Sequence, residues 1–265
     1  MFGITMAESG GEFEAPGPNS FDFDAVPLFQ LGGLAVTKPM VQLLLGALVV
    51  FVFFYAAARR ASLVPGRLQF AGESAYGMVR NSIGRDIIGS HDFLRFVPYL
   101  VTLFFFILIN NAFATLPAIQ FPTFSRASMA YALAAVSWII YNAVGIRKHG
   151  LLGYLKLQSV PSGVSPVMYP LLVPLEFFSN ILVRPVTLAL RLFANMFAGH
   201  LLLILFSTGG LFLLQYGGIG YVAGPLAWVL AIAIAFLELL VQFLQAYVFT
   251  LLNAMYISGA LADEH

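Results

Sequence analysis

From Leu192 to Leu237 the chain contains no Asp, Glu, Lys or Arg. A spanning helix needs only about 20 mostly apolar residues to cross a bilayer core. So long an uncharged territory has no place on a soluble surface, and it fixes the class of fold before any other feature is considered. Composition agrees: 60% of residues are apolar and 9% charged, against roughly 25% charged in soluble domains. The chain reads as an all-α integral membrane protein.

Four further boundaries divide it into spans. Met40 to Ala58 is uncharged and closes on Arg59-Arg60. Phe96 to Leu116 is closed by Pro117 and Pro122, and Ala127 to Ile146 by Arg147-Lys148-His149. A Pro- and Gly-punctuated stretch follows Lys156, and the remaining apolar territory breaks at Gln215 to Gly224 into helices near Val186–Leu214 and Pro225–Ser258. Five main spans result, or six if Tyr169–Val183 counts as a segment of its own. Residues 1–39 then form a polar extracytoplasmic tail, 40–258 a multi-span membrane domain, and 259–265 a short cytoplasmic tail.

Lys and Arg set the orientation, because cytoplasmic loops carry them in excess. Arg59, Arg60, Arg67, Arg80, Arg85 and Arg95 follow the first span, and Arg147, Lys148 and Lys156 the third. The N-terminal tail has Lys38 against Glu8, Glu12, Glu14, Asp22 and Asp24. This predicts an outside N-terminus and, with an odd number of spans, an inside C-terminus. The acidic tail lacks the basic region and apolar run of a secretory signal. Ser62–Ser90 reads as an interfacial amphipathic helix on the cytoplasmic face.

A net charge of +1 gives no electrostatic footprint for nucleic acid. Without cysteine there is no disulfide framework, thiolate metal site or thiol nucleophile. No HExxH motif offers a zinc site. A Ser–His dyad from His200 and Ser207 rests on a single spacing and carries little. No metal or cofactor is expected.

The charges inside the membrane territory hold the functional information. Arg191 lies seven residues beyond Arg184, about 10 Å along a helix. An arginine near the bilayer centre costs ~2.5–3.5 kcal/mol on insertion scales, so it should face protein, water or an acidic partner. Ala194, Asn195 and Ala198 share its helical face. Small residues there suit ordinary helix packing or the close approach of a partner helix. On the last helix Glu238, Gln242, Gln245, Asn253 and Tyr256 form one polar stripe, either a hydrogen-bonded seam or the wall of a hydrated ion path. His200 lies across the helix from Arg191. Counted from the turn between the last two helices, it reaches a depth comparable to Glu238, and a His–Glu couple there can pass protons.

The run Arg184-Pro185-Val186-Thr187-Leu188-Ala189-Leu190-Arg191-Leu192-Phe193-Ala194-Asn195-Met196-Phe197-Ala198-Gly199-His200 resembles the signature of subunit a of F-type ATP synthases. Gln245-Ala246-Tyr247-Val248-Phe249, running on to Tyr256, resembles that family's final helix. Val64-Pro65-Gly66, the Asn110–Pro117 segment and Pro174-Leu175-Glu176 are weaker matches in the expected order.

The resemblance implies a membrane stator subunit with no catalytic chemistry of its own. Its two aqueous half-channels load and unload protons on carboxylates of a ring of c subunits. It implies that Arg191 faces the ring, that Asn195 and Gln245 are its polar neighbours, and that His200 and Glu238 sit in the access half-channel. Glu176 resembles an acid near the cytoplasmic exit, one residue further from Arg191 than in the usual form. Tyr256 falls at the inner end of the same stripe. The implied partners are the c-ring, the subunit b peripheral stalk and the rest of the synthase in a bacterial plasma membrane. The last helices are expected to form long tilted hairpins against the ring. The alternatives are a sodium-translocating version of the same subunit, or a free-standing ion-coupled transporter. The transporter should show an internal repeat with paired broken helices, and none is evident.

Overall fold

The computed structural model describes residues 29–31, 34–59, 62–90, 92–115, 123–160 and 168–262. Most of the N-terminal tail, Leu116 with Pro117 and Pro122, the Pro161–Pro166 stretch and the last three residues therefore lie outside the described residues. The chain enters on two short strands, β1 (Phe29–Leu31) and β2 (Leu34–Val36), paired antiparallel with Phe29 opposite Val36.

After the strands the described residues are mostly helical. α1 spans Lys38–Ala58, with Pro39 in its first turn, where a missing N–H costs nothing. α2 spans Arg67–Val79 and continues as a π-helical stretch, Arg80–Ile88. α3 spans Phe93–Ala112 and α4 spans Ala127–Ser159. α5 (Tyr169–Phe178) passes through a π-helical junction at Ser179–Val183 into α6 (Arg184–Tyr216), and α7 runs from Gly220 to Leu261. Five helical units are long and apolar enough to cross a membrane; α5 and α6 count together as one, Tyr169–Gln215. Tyr169–Val183 is thus the first part of a single long helix.

Two boundaries gain detail from the structure. The third span was expected to end at Ile146, closed by Arg147-Lys148-His149, and the backbone leaves helical geometry just beyond, at Gly150 (φ 72, ψ 168), after which a second helical arm of α4 runs to Ser159. Only glycine readily takes this backbone conformation. The turn before α7 is also tighter than Gln215–Gly224. Gly217 and Gly218, at φ 72 and 57, close it, and Pro225 sits inside the start of α7.

α3 is the centre of the bundle. Its Val97, Leu100, Phe104 and Ile107 are fully buried in one core with Leu188, Ala189 and Leu192 of α6 and Ala246 and Phe249 of α7, and α7 packs directly along it. α6 and α7 form the most extensive helix pair in the molecule. They are antiparallel, and their register is fixed at several heights. Near the turn, Gly210 packs against Gly224 and the Trp228 indole. Deeper in, Asn195 meets Gln245, and at the far end Arg184 meets Tyr256. The 42 residues of α7 give a length of ~63 Å. That is twice a bilayer core, so a helix whose only charged residue is Glu238 has to lie strongly tilted.

Candidate functional site

Arg191 sits on α6 with its side chain exposed, and Ala194 and Ala198 are exposed beside it. Among the described residues it makes no hydrogen bond. On the flank of the same helix, Leu188, Leu192 and Met196 are buried and hold α6 against the core. The result is an arginine on a lateral strip of small residues, facing away from its own bundle.

One turn further, half-buried Asn195 points between the two helices. Its Nδ2 donates to Gln245 Oε1 at 2.7 Å. Gln245 is 4% exposed, so this amide pair links the arginine's strip to the interior. Asn195, Met196, Glu238, Val241, Gln242, Gln245 and Asn111 together line a crevice of about 10 Å³. That is roughly the room one water molecule needs, with the polar partners to hold it.

Glu238 is 4% exposed and His200 9%. Neither carboxyl oxygen of Glu238 has a hydrogen-bond partner among the described residues. The carboxyl packs over Gly199, 3.4 Å from where a Cβ would stand. Because His200 follows Gly199 directly, the structure brings Glu238 and His200 to the same height of the hairpin. It also puts His200 on the buried side and Arg191 on the exposed side of α6, as nine residues of helical rotation require.

The polar stripe of α7 has two ends of different character. At the middle, Gln242 exchanges hydrogen bonds with the Thr115 hydroxyl, and its backbone carbonyl accepts from Asn111 Nδ2 at 3.4 Å. Towards the C-terminus, Asn253 accepts from the Tyr99 hydroxyl at 3.2 Å. Tyr256 lies under the Arg184 guanidinium, 5.1 Å from the ring centroid. Tyr256 is therefore separated from the Glu238 end of the stripe. Glu176, on α5, accepts from Asn180 Nδ2 at 3.1 Å, and the same amide donates to the Gln158 carbonyl at 2.7 Å. Glu176 thus belongs to the Tyr256 end of the molecule and is remote in sequence from the Asn195 crevice.

Asn111, Thr115 and Arg184 are contacts that the sequence reading did not assign. For Asn111 and Arg184 a signal existed. Asn110-Asn111 is an amide pair in an otherwise apolar span. Residues 176, 180, 184, 187, 191 and 195 are polar at steps of three or four, which is one continuous helical stripe. Among the described residues, no group of three His, Asp or Glu stands together to hold a metal.

Residues 40–258 match the family described as ATP synthase A chain. Curated relatives extend the similarity to nearly the whole chain. ATP synthase subunit a of a Nocardioides species is 63% identical over 271 residues, covering 99% of this chain and 98% of its own length. The proteins of the same name from Pseudarthrobacter chlorophenolicus (49% over 263 residues, 98% and 97% covered) and Streptomyces lividans (40% over 257 residues, 97% and 90% covered) are similar along the same extent.

Proposed function

The chain belongs to the ATP synthase A chain family, and from that premise we propose how its α6–α7 hairpin moves protons. It is the proton-translocating stator subunit of the synthase membrane sector, and it makes and breaks no bonds of ATP itself. Its family membership leaves the free-standing transporter without support.

The observation that carries the mechanism is the arrangement across α6. An exposed arginine stands on a small-residue strip on one side of the helix, a buried carboxyl and histidine stand on the other, and the Asn195–Gln245 bond lies between them in the hairpin. The strip accommodates the outer helix of a c subunit, whose carboxylate comes opposite Arg191. Water entering from outside reaches the Glu238–His200 level, where a proton is passed to the ring carboxylate. The neutral acid then travels through lipid, where a charged one would be costly. On completing the circuit it meets the Arg191 charge, which favours the ionised carboxylate. The proton leaves on the cytoplasmic side, towards Glu176 and Tyr256. Arg191 also repels any proton passing directly between the two routes. Each crossing draws ~2.3 kcal/mol per 100 mV of membrane potential, and that work turns the ring.

This reading puts the subunit in a bacterial plasma membrane with its N-terminus outside and its C-terminus inside. The ring lies along the Arg191 strip, and the subunit b stalk lies away from it. The test is ATP-driven proton pumping in inverted vesicles carrying Arg191→Ala. The expected result is loss of pumping with the complex assembled and a passive proton leak. Native pumping would remove Arg191 from the mechanism.

A further inference from the structure

Two turns before Arg191 stands a second arginine that the route above does not use. Arg184 is half-buried, and its guanidinium lies 5.1 Å from the centroid of the Tyr256 ring. Its Nη1 donates to Oε1 of Gln158 at 3.4 Å, and Gln158 is 7% exposed. The Tyr256 ring in turn packs against buried Tyr141 at 5.3 Å. One side chain of α6 therefore joins α4 and α7.

The sequence builds this cage from two glycines. The reversal at Gly150 turns the end of α4 back on itself, and the Tyr154 ring occupies the space a Cβ on Gly145 would need. Tyr154 is fixed there by its hydroxyl, which donates to Asn142 Oδ1 at 3.0 Å. Gln158, one turn beyond Tyr154, is thereby brought beneath Arg184.

Arg184 makes no ion pair among the described residues. One ring face, Tyr256, and one amide oxygen, Gln158 Oε1, meet it instead, and a planar guanidinium can stack and hydrogen-bond at the same time. A cation that only anchored the chain to lipid headgroups would keep its head in water, not over a ring of the neighbouring helix.

Gly199 and Gly210 of α6 and Gly220 and Gly224 of α7 lie close against the facing helix, which lets helices approach closely but does little to set how far one slides along the other. Polar pins do that: Trp228 Nε1 donating to the Ser207 carbonyl near the turn, Asn195–Gln245 midway, and Arg184–Tyr256 at the far end. A slip of one residue shifts Arg191 by about 1.5 Å in depth.

We propose that Arg184 is a positioning residue, whose clamp on Tyr256 holds α6 at the depth where Arg191 meets the ring. This rests on the reading of Arg191 as the ring-facing cation. The experiment uses the whole complex in inverted vesicles and reads protons pumped per ATP hydrolysed, with subunit abundance measured in parallel. Arg184→Lys keeps a cation over the ring and should retain pumping. Arg184→Gln and Tyr256→Leu should each lower it at least about fivefold, and the double variant should lose no more than the worse single, as expected for groups acting as a unit.

Native-like pumping by Arg184→Gln or Tyr256→Leu overturns the proposal. So does a Lys variant as impaired as the Gln variant, or losses that multiply in the double variant. If Arg184→Gln does not accumulate, Arg184→Lys and Tyr256→Leu decide by the same criteria. Arg191→Ala, run alongside, separates the two levels. If it pumps normally, the underlying reading fails; if it alone is inactive, only the clamp does.

Discussion

Glu238→Gln should abolish most proton pumping while leaving the protein at least as stable as before. The two effects have opposite signs, so a transport defect cannot be mistaken for misfolding. Glu238 is 4% exposed, and its carboxyl oxygens have no hydrogen-bond partner among the described residues. Gln has the same shape and leaves the packing over Gly199 intact. An unpartnered buried amide and an unpartnered buried carboxyl are penalised alike, at about 1–3 kcal/mol. If the carboxyl is ionised in any state of the cycle, removing it relieves up to ~2.5–3.5 kcal/mol. Assembly should therefore be native or better.

Transport should move the other way, because an amide cannot relay a proton. A positioned acid–base group typically contributes about 10²–10⁴-fold to proton transfer. A fall of at least about tenfold is expected even if water carries much of the path, equivalent to a barrier raised by ~1.4 kcal/mol. The assay is ATP-driven acidification of inverted vesicles, normalised to ATP hydrolysis and to the amount of the subunit in the membrane. Glu238→Asp, which keeps a titratable group, should lie between the native chain and Glu238→Gln. Native pumping by Glu238→Gln, or a loss that merely tracks lost protein, would refute the placing of Glu238 on the proton route.

Two further outcomes follow from the packing. Gln245→Leu removes the acceptor of Asn195; such bonds between membrane helices average ~0.6 kcal/mol, so the subunit should remain assembled while pumping falls, and native pumping would show that the amide pair is only a seam. Gly46→Leu should lower the thermal midpoint of the purified complex, since a Cβ there falls 2.8 Å from Asn110 Cγ and overpacking costs typically ~1–3 kcal/mol; Gly77→Leu, with open space around it, is the control that should not.

The first three spans were legible in the sequence because each is an uncharged run closed by basic residues or proline, and the last two because a glycine-rich break divides a long apolar territory. Helix rotation was legible too. Counting residues put Arg191, Ala194 and Ala198 on one face and His200 on the other, and the structure has that division. Even the shared height of His200 and Glu238 could be counted from the turn, because an antiparallel hairpin ties the two numbers together. What counting missed needed a third helix. Thr115 and Gln242 meet across 127 residues, and Asn111 reaches the Gln242 carbonyl across 131. The break after Arg147-Lys148-His149 was legible, but not that Gly150 folds the following arm back, because the charges say where a span ends and not which way the chain then turns. The stripe on α7 grouped Tyr256 with Glu238 by angle alone, whereas Arg184 of α6 decides its surroundings.

The exposed side of the hairpin is where the chain's chemistry remains open. Leu190, Leu202, Leu237, Leu240 and Phe243 are exposed on α6 and α7, and lipid tails can cover those at no cost. Lipid cannot cover Arg191 on the same terms, since a guanidinium near the bilayer centre is penalised unless it meets water or an anion. Lengthening the hairpin would not remove that penalty, and the bundle's own carboxylates do not reach the strip: Glu238 is buried behind α6 and Glu176 is held by Asn180. Ala194 and Ala198 beside the arginine leave room for a helix rather than a headgroup. A partner that is helical, membrane-embedded and carries a carboxylate at mid-depth satisfies all of these conditions at once. A protonatable one can also leave again once neutral, which a fixed ion pair would not allow. The exposed arginine and its small-residue strip are thus compatible with the acidic ring helix proposed above.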